Sequence, residues 1–172
     1  YLWLLGDDDK IANETIGKIL GAIEDRPALV VLDLAVHSKD LAVCLKSSFF
    51  GNGHPYRIED RNYVLRAFNV SLGFISCVVM NRNLLLQVSQ EKLEELSQIG
   101  FSPFYSAYAV LSQRESVRFL RGANVIQRSG NGRFDDSSVH LATNFLHGSA
   151  LGWKYVGELT YSASALRRAK SR

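Results

Sequence analysis

Cysteine is almost missing from this chain: Cys44 and Cys77 are the only two in 172 residues. They show no paired spacing and no histidine in metal-site register beside them, which excludes a disulfide scaffold and a zinc-finger type of site. No run of about eighteen uninterrupted apolar residues is present, so no membrane-spanning helix is expected. A charged start followed by an apolar stretch and a small-residue cleavage site, the mark of a signal peptide, is also lacking. A reducing, cytoplasmic setting is the expectation that follows. Charge of one sign is scarce as well. The formal charge is +3, but Arg167, Arg168, Lys170 and Arg172 supply four cations within the last six residues, and without those four the chain carries −1. Nucleic-acid binding proteins carry their excess positive charge along a folded face, so this distribution argues against a nucleic-acid partner. Two readings fit the basic end: a helix terminus favoured by the helix dipole, or peripheral contact with an anionic membrane surface.

What the chain does have is apolar material, 47% of its residues, enough for the core of one domain. Tyr1 to Leu5 is an apolar, partly aromatic run that breaks at Gly6 into Asp7, Asp8 and Asp9, the pattern of a buried strand emerging at a sheet end. Ile16, Ile19, Leu20 and Ile23 recur at helical spacing, and Ala28 to Val36 reads as a second buried strand. A strand, a helix and a strand in that order predict a crossover connection and a mostly parallel, mixed sheet flanked by helices, an α/β fold. His37 to Arg61 reads as a long irregular connection with a short strand near Leu41 to Leu45, and loops of that length are often functional. Asn62 to Asn69 is expected as a short helix and Leu72 to Met80 as a core strand. Glu91 to Ile99, Pro103 to Ser112, Asp135 to Leu146 and Tyr161 to Lys170 are expected as helices, and Ala123 to Gln127 as a short strand. Residues 1–172 are therefore expected to form a single domain, with a helical part over 113–172.

The three adjacent aspartates carry the chemistry. Carboxylates side by side repel one another unless a cation neutralises them, so Asp7, Asp8 and Asp9 are candidate ligands for Mg²⁺ or Mn²⁺, which prefer hard oxygen donors. A divalent ion held by one or two carboxylates keeps positions open for diphosphate oxygens. The competing explanation is local: Asp9 caps the following helix while Asp7 and Asp8 face solvent. Three acids exceed what a cap needs.

Tyr1-Leu2-Trp3-Leu4-Leu5-Gly6-Asp7-Asp8-Asp9 resembles the strand and acidic motif of the family-two glycosyltransferases of GT-A fold, especially bacterial members that build surface polysaccharides. Phe74-Ile75-Ser76-Cys77-Val78-Val79-Met80-Asn81-Arg82 is similar to the later strand that those enzymes place beside the acceptor cleft. The resemblance runs from residue 1 to about 112. It implies a metal-dependent transfer of a sugar from a nucleoside-diphosphate sugar to a hydroxyl of a saccharide or lipid-linked saccharide acceptor. It also implies that Asp7 and Asp8 hold the donor and that Asp7 and Asp9 hold the metal. In the resembled fold the nucleotide-binding half precedes Tyr1, so the chain alone is not expected to transfer sugar. Many inverting members present an acidic base just ahead of the helix that corresponds to Pro103 to Ser112, whereas no acid occurs between Leu96 and Arg114. Glu59 and Asp60, in the irregular loop, are the substitutes, and His54 is a fainter one.

Two other classes compete. In a receiver-type signalling domain, Asp33 at the end of Leu29-Val30-Val31-Leu32 would accept a phosphoryl group, but it stands inside the apolar run and its spacing from Asp9 leaves no room for the extra strand and helix. A non-catalytic binding module of the same fold would lack the base altogether.

Overall fold

The run from Leu29 to His37 is aliphatic apart from Asp33 and His37, and it forms the central strand expected from it. The computed structural model describes residues 1–129 and 139–171, with backbone alone for 139–145. In chain order its strands are β1 (Leu2–Trp3), β2 (Lys10–Ile11), β3 (Leu29–His37), β4 (Cys44–Lys46), β5 (Arg57–Ile58), β6 (Val78–Met80) and β7 (Val117–Arg128). Its helices are α1 (Thr15–Ile23), α2 (Arg61–Phe68), α3 (Arg82–Leu85), α4 (Gln90–Ser97), α5 (Ser102–Gln113), α6 (Val139–Gly157) and α7 (Ala163–Lys170). Two 3₁₀ turns, Asn69–Gly73 and Ile75–Cys77, precede β6. The strands build one mixed sheet in the order β1-β6-β3-β7-β2, with β4 added to β3 and β5 to β7.

The expectation of a mostly parallel sheet is corrected here. Among the described residues only β3 and β7 run parallel; β1 with β6, β6 with β3, β4 with β3, and both β2 and β5 with β7 are antiparallel. Short flanking strands enter and leave by turns and loops, which return the chain antiparallel without a crossover helix. The helical part expected over 113–172 is corrected as well, because it contributes the twelve-residue β7. Its Val117, Arg118, Phe119 and Leu120 are buried beside Leu29 to Leu32. Arg114 to Arg118 mixes charge into that segment, which is why its strand character is hard to read before its partner is known.

Flat, five strands at about 4.8 Å spacing would hold β1 and β2 about 19 Å apart. Only Leu4 to Asp9 joins them, and that link contains a tight turn in which Asp9 N–H donates to the Gly6 carbonyl at 3.2 Å. The sheet therefore curls, bringing its edges toward each other around the acidic turn. A bulge in β7 assists: the β3–β7 register shifts between Leu32 and Leu34, and Gly122 takes a φ of 82° that an L side chain rarely adopts. The buried Asn124 amide holds the bulge by donating to the Leu120, Arg121 and Gly122 carbonyls at 2.7, 3.2 and 2.9 Å. Asn124's own carbonyl accepts from Ala12 N–H at 3.0 Å and from Thr15 Oγ at 2.9 Å, fixing the start of α1 just after the acids.

Helices cover the sheet. α5 is buried along nearly its whole length, from Phe104 to Leu111, and α6 crosses it closely because Gly148 and Gly152 carry no side chain. A Cβ on Gly148 would lie 2.3 Å from the Phe101 ring, and one on Gly152 3.0 Å from the Phe104 ring. The helix expected from Asp135 to Leu146 overlaps α6 from Val139, while residues 135–138 lie outside the described residues. Among the described residues, no helix is long and apolar enough to cross a membrane. Arg167, Arg168 and Lys170 occupy the last turn of α7, where the helix dipole favours cations.

Candidate acidic site

Tyr1 to Leu5 is not the buried central strand that its composition predicts. β1 holds two residues and forms the edge of the sheet beyond β6, and Tyr1, Leu4 and Leu5 are 40%, 44% and 39% exposed. Trp3 anchors it, donating its indole N–H to the Ser76 carbonyl at 2.9 Å. The chain then turns at Gly6 to Asp9, level with the middle of β3. Asp9 does not cap α1: that helix begins at Thr15, and its first flanking residue, Glu14, makes no side-chain cap.

Ser76 organises the turn. Its hydroxyl accepts from Gly6 N–H at 2.8 Å and donates to Asp9 Oδ2 at 2.5 Å, so one buried side chain ties backbone and carboxylate together. The 3₁₀ turn Ile75–Cys77 aims that hydroxyl outward, and this explains why the expected strand Leu72 to Met80 survives only as β6: a continuous strand would carry Ser76 in a ladder instead. Above Gly6 the carboxylates converge. A Cβ built there would meet Asp9 Oδ2 at 3.0 Å, Asp8 Oδ1 at 3.1 Å and Ser76 Oγ at 3.4 Å. Asp8 and Asp9 are thus brought together, while Asp7 stays exposed at the tip, within electrostatic reach. The Asp9 carboxyl is raised above the usual range, first by burial and further by the Asp8 and Asp7 charges, against which the Ser76 hydroxyl pulls it down.

Asp33 lies close by and has different company. Fully buried, its Oδ1 accepts from the Leu34, Phe49 and Phe50 N–H groups, each at 3.0 Å, and its Oδ2 accepts from Ser48 Oγ at 2.5 Å. Every one of these donors belongs to the protein, which leaves no carboxylate face for a phosphoryl group and weighs against the receiver reading. Between the two acids sits Cys77, whose thiol is pushed up by burial and then by the Asp9 and Asp33 charges.

The loop from His37 to Arg61 divides. Its middle borders the acidic turn, with Phe49 packed on Phe74 at 5.7 Å two residues before Ser76. Its end does not. Glu59 follows β5 at the far edge of the sheet, paired with Arg118 Nη1 at 3.2 Å. Asp60 caps α2 by accepting from Asn62 N–H at 2.8 Å and faces Arg66 at 3.7 Å. The register places these two acids beside the start of β7, whereas the aspartates lie beyond the end of β1, so the expectation that Glu59 or Asp60 reaches the site is corrected. Alternation of strand direction, invisible in the sequence, separates them. His54 is committed too: Nδ1 pairs with Tyr63 OH at 2.8 Å, Nε2 with the Phe50 carbonyl at 3.1 Å, and the ring lies among Phe68 and Phe119.

Among the described residues no group of three or more His, Cys, Asp or Glu side chains is arranged to hold a metal ion. Two clefts, of about 300 Å³ beside Tyr105 and Gln113 and about 260 Å³ beside Tyr1 and Arg82, include none of the aspartates. In the turn itself Asp7 is exposed and Asp8 and Asp9 are half-buried. Two convergent carboxylates still fit Mg²⁺ or Mn²⁺, ions commonly held by one or two carboxylates together with substrate phosphates. Sequence reasoning missed Ser76 and Gly6; the one signal for Ser76 was a hydroxyl inside a β-prone apolar run. Compared with protein-family models, with curated proteins and with solved structures, the chain matches none of them.

Proposed function

We propose that this chain is part of a metal-dependent glycosyltransferase of GT-A type, moving a sugar from a nucleoside-diphosphate sugar to a hydroxyl acceptor in bacterial surface-polysaccharide synthesis. The observation that carries the reading is the convergence of Asp8 and Asp9 over Gly6 under the grip of Ser76. In this reading Asp8 and Asp9 hold Mg²⁺ or Mn²⁺, and Asp7 at the exposed tip meets the donor. When bound, the cation neutralises negative charge on a departing diphosphate. The chain's own contribution is orientation: Ser76 leaves Asp9 one oxygen engaged and one open, Gly6 lets both carboxylates fold back, and the Asn124 bulge holds the strand that follows. The work is cytoplasmic in this proposal, with the basic last turn of α7 facing an anionic membrane surface.

One observation favours a second reading, a binding module of the same fold without transfer chemistry: neither Glu59 nor Asp60 approaches Asp9. Calorimetric titration with Mn²⁺ and with nucleoside diphosphates, followed by a transfer assay, both on a version extended upstream of Tyr1, separates the cases. The transferase binds both and turns over, a receiver domain binds metal alone, and a bare module binds neither.

A further inference from the structure

At the amino end of β1, away from the aspartates, the surface is basic. Tyr1, Arg26, Asn81, Arg82 and Asn83 line a cleft of about 260 Å³, room for a phosphoryl group and several atoms bonded to it. Arg114 flanks it and donates Nη1–H to the Arg26 carbonyl at 2.8 Å. Asp25 is engaged elsewhere, with Arg57 at 2.7 Å and Arg118 at 3.1 Å, and Glu59 pairs with Arg118 at 3.2 Å. Among the described residues, no ion pair joins Arg26, Arg82 or Arg114 to an acid. Three guanidinium groups gathered without a counter-charge repel one another, and an anion relieves this.

The backbone adds an independent sign. Arg26 has a φ of 52°, a left-handed conformation usually left to glycine or asparagine, and the strained position presents an arginine to the cleft. Opposite it, the Tyr1 hydroxyl donates to the Pro27 carbonyl at 2.7 Å and fixes one wall. Asn81 uses its Oδ1 to cap α3, accepting from Asn83 and Leu84 N–H at 3.1 and 3.4 Å, which sets Arg82 at the rim.

We infer that this cleft binds a phosphoryl oxyanion through Arg26 and Arg82, with Arg114 adding to the field. Several guanidinium groups match the double charge and three oxygens of a phosphoryl group, where a single bidentate arginine suffices for a carboxylate. The ligand is a phosphorylated small molecule or the phosphate of a lipid headgroup. This site is independent of the aspartates and of the transferase reading.

The test is titration of inorganic pyrophosphate into the protein in EDTA, so that no divalent ion at the acidic turn takes part, beside sedimentation with phosphatidylcholine vesicles with and without phosphatidic acid. Arg26→Gly suits the left-handed backbone and Arg82→Gln is exposed, so both variants are expected to fold, which circular dichroism checks. Each is expected to weaken binding about tenfold, and the double variant to abolish it. Loss of vesicle binding alone in the double variant assigns the lipid source and keeps the site. A folded double variant that binds pyrophosphate and vesicles like the parent chain overturns the inference, as does a parent chain that binds neither.

Discussion

Asp33 and the Asp7–Asp9 turn flank the same buried thiol, yet their surroundings are opposite. The Asp33 carboxylate accepts four hydrogen bonds from protein donors, and its work is to fasten the Ser48–Phe50 segment onto β3. Asp9 takes one side-chain hydrogen bond, from Ser76, and its proton affinity is raised first by burial and then by the Asp8 and Asp7 charges. An acid whose lone pairs are consumed by the fold is structural; acids that face each other with lone pairs open are available to a ligand. The sequence already separates them in part, since Asp33 stands inside an apolar run whereas Asp7 to Asp9 follow one.

The largest effect is expected at Asp33. Asp33→Ala leaves the Phe50 N–H group and the Ser48 hydroxyl without their acceptor, while Phe49 N–H keeps the Leu34 carbonyl at 2.8 Å; at about 1–3 kcal/mol for each buried orphan, a loss of about 2–5 kcal/mol is expected in urea unfolding. Asp33→Asn keeps an acceptor for the N–H groups and should lose about 1 kcal/mol. An unchanged midpoint for the alanine variant would remove the distinction. Asp9→Asn should behave in the opposite way: the half-buried side chain keeps an acceptor for the Ser76 hydroxyl, so stability should stay within about 1 kcal/mol of the parent, but Mn²⁺ affinity should fall by about tenfold or more, read by electron paramagnetic resonance.

Gly6→Ala comes next. Its methyl group would press on Asp8 Oδ1 and Asp9 Oδ2 at 3.1 and 3.0 Å, and because both are tips of flexible side chains the cost in stability should stay below about 1 kcal/mol. Affinity for Mn²⁺ should still fall several-fold as the two carboxylates separate. The smallest effect is on pH dependence. Since the folded Asp9 carboxyl binds its proton more tightly than the unfolded one, its contribution to stability falls as pH rises from the unfolded value through the raised folded one. Metal competes with that proton, so Mn²⁺ affinity climbs across the same window. Ser76→Ala removes the hydrogen bond that lowers the Asp9 value, and the midpoint of the Mn²⁺ pH profile should move upward. A midpoint that moves down would show that Ser76 does not act on Asp9.

Much of the fold was legible where burial and period agree. Leu29 to His37 and Ser102 to Gln113 are strongly patterned, and both form the elements expected within a residue or two. Leu72 to Met80 misled because its β-propensity is outweighed by tertiary contacts: Gly73 packs against Phe104, and the Ser76 hydroxyl is needed at the acidic turn. β7 was half-seen, since a charged first half becomes strand only beside β3, with Arg118 buried and paired to Asp25 and Glu59. At the site the three aspartates were legible as a group. Glu59 and Asp60 were misplaced because proximity across a long loop depends on which end of a strand each segment pairs with: β5 joins the start of β7, whereas β2, just after the aspartates, joins its later half.

The most direct test of the central claim is Mn²⁺ binding, with and without a nucleoside diphosphate, by the parent chain and by Asp8→Asn/Asp9→Asn, with Asp33→Asn as the control. One bound Mn²⁺ is expected in the parent chain, tightened by the nucleoside diphosphate, retained in Asp33→Asn and lost in the double variant. Equal binding by the parent chain and the double variant, or a site lost with Asp33 instead, would contradict it.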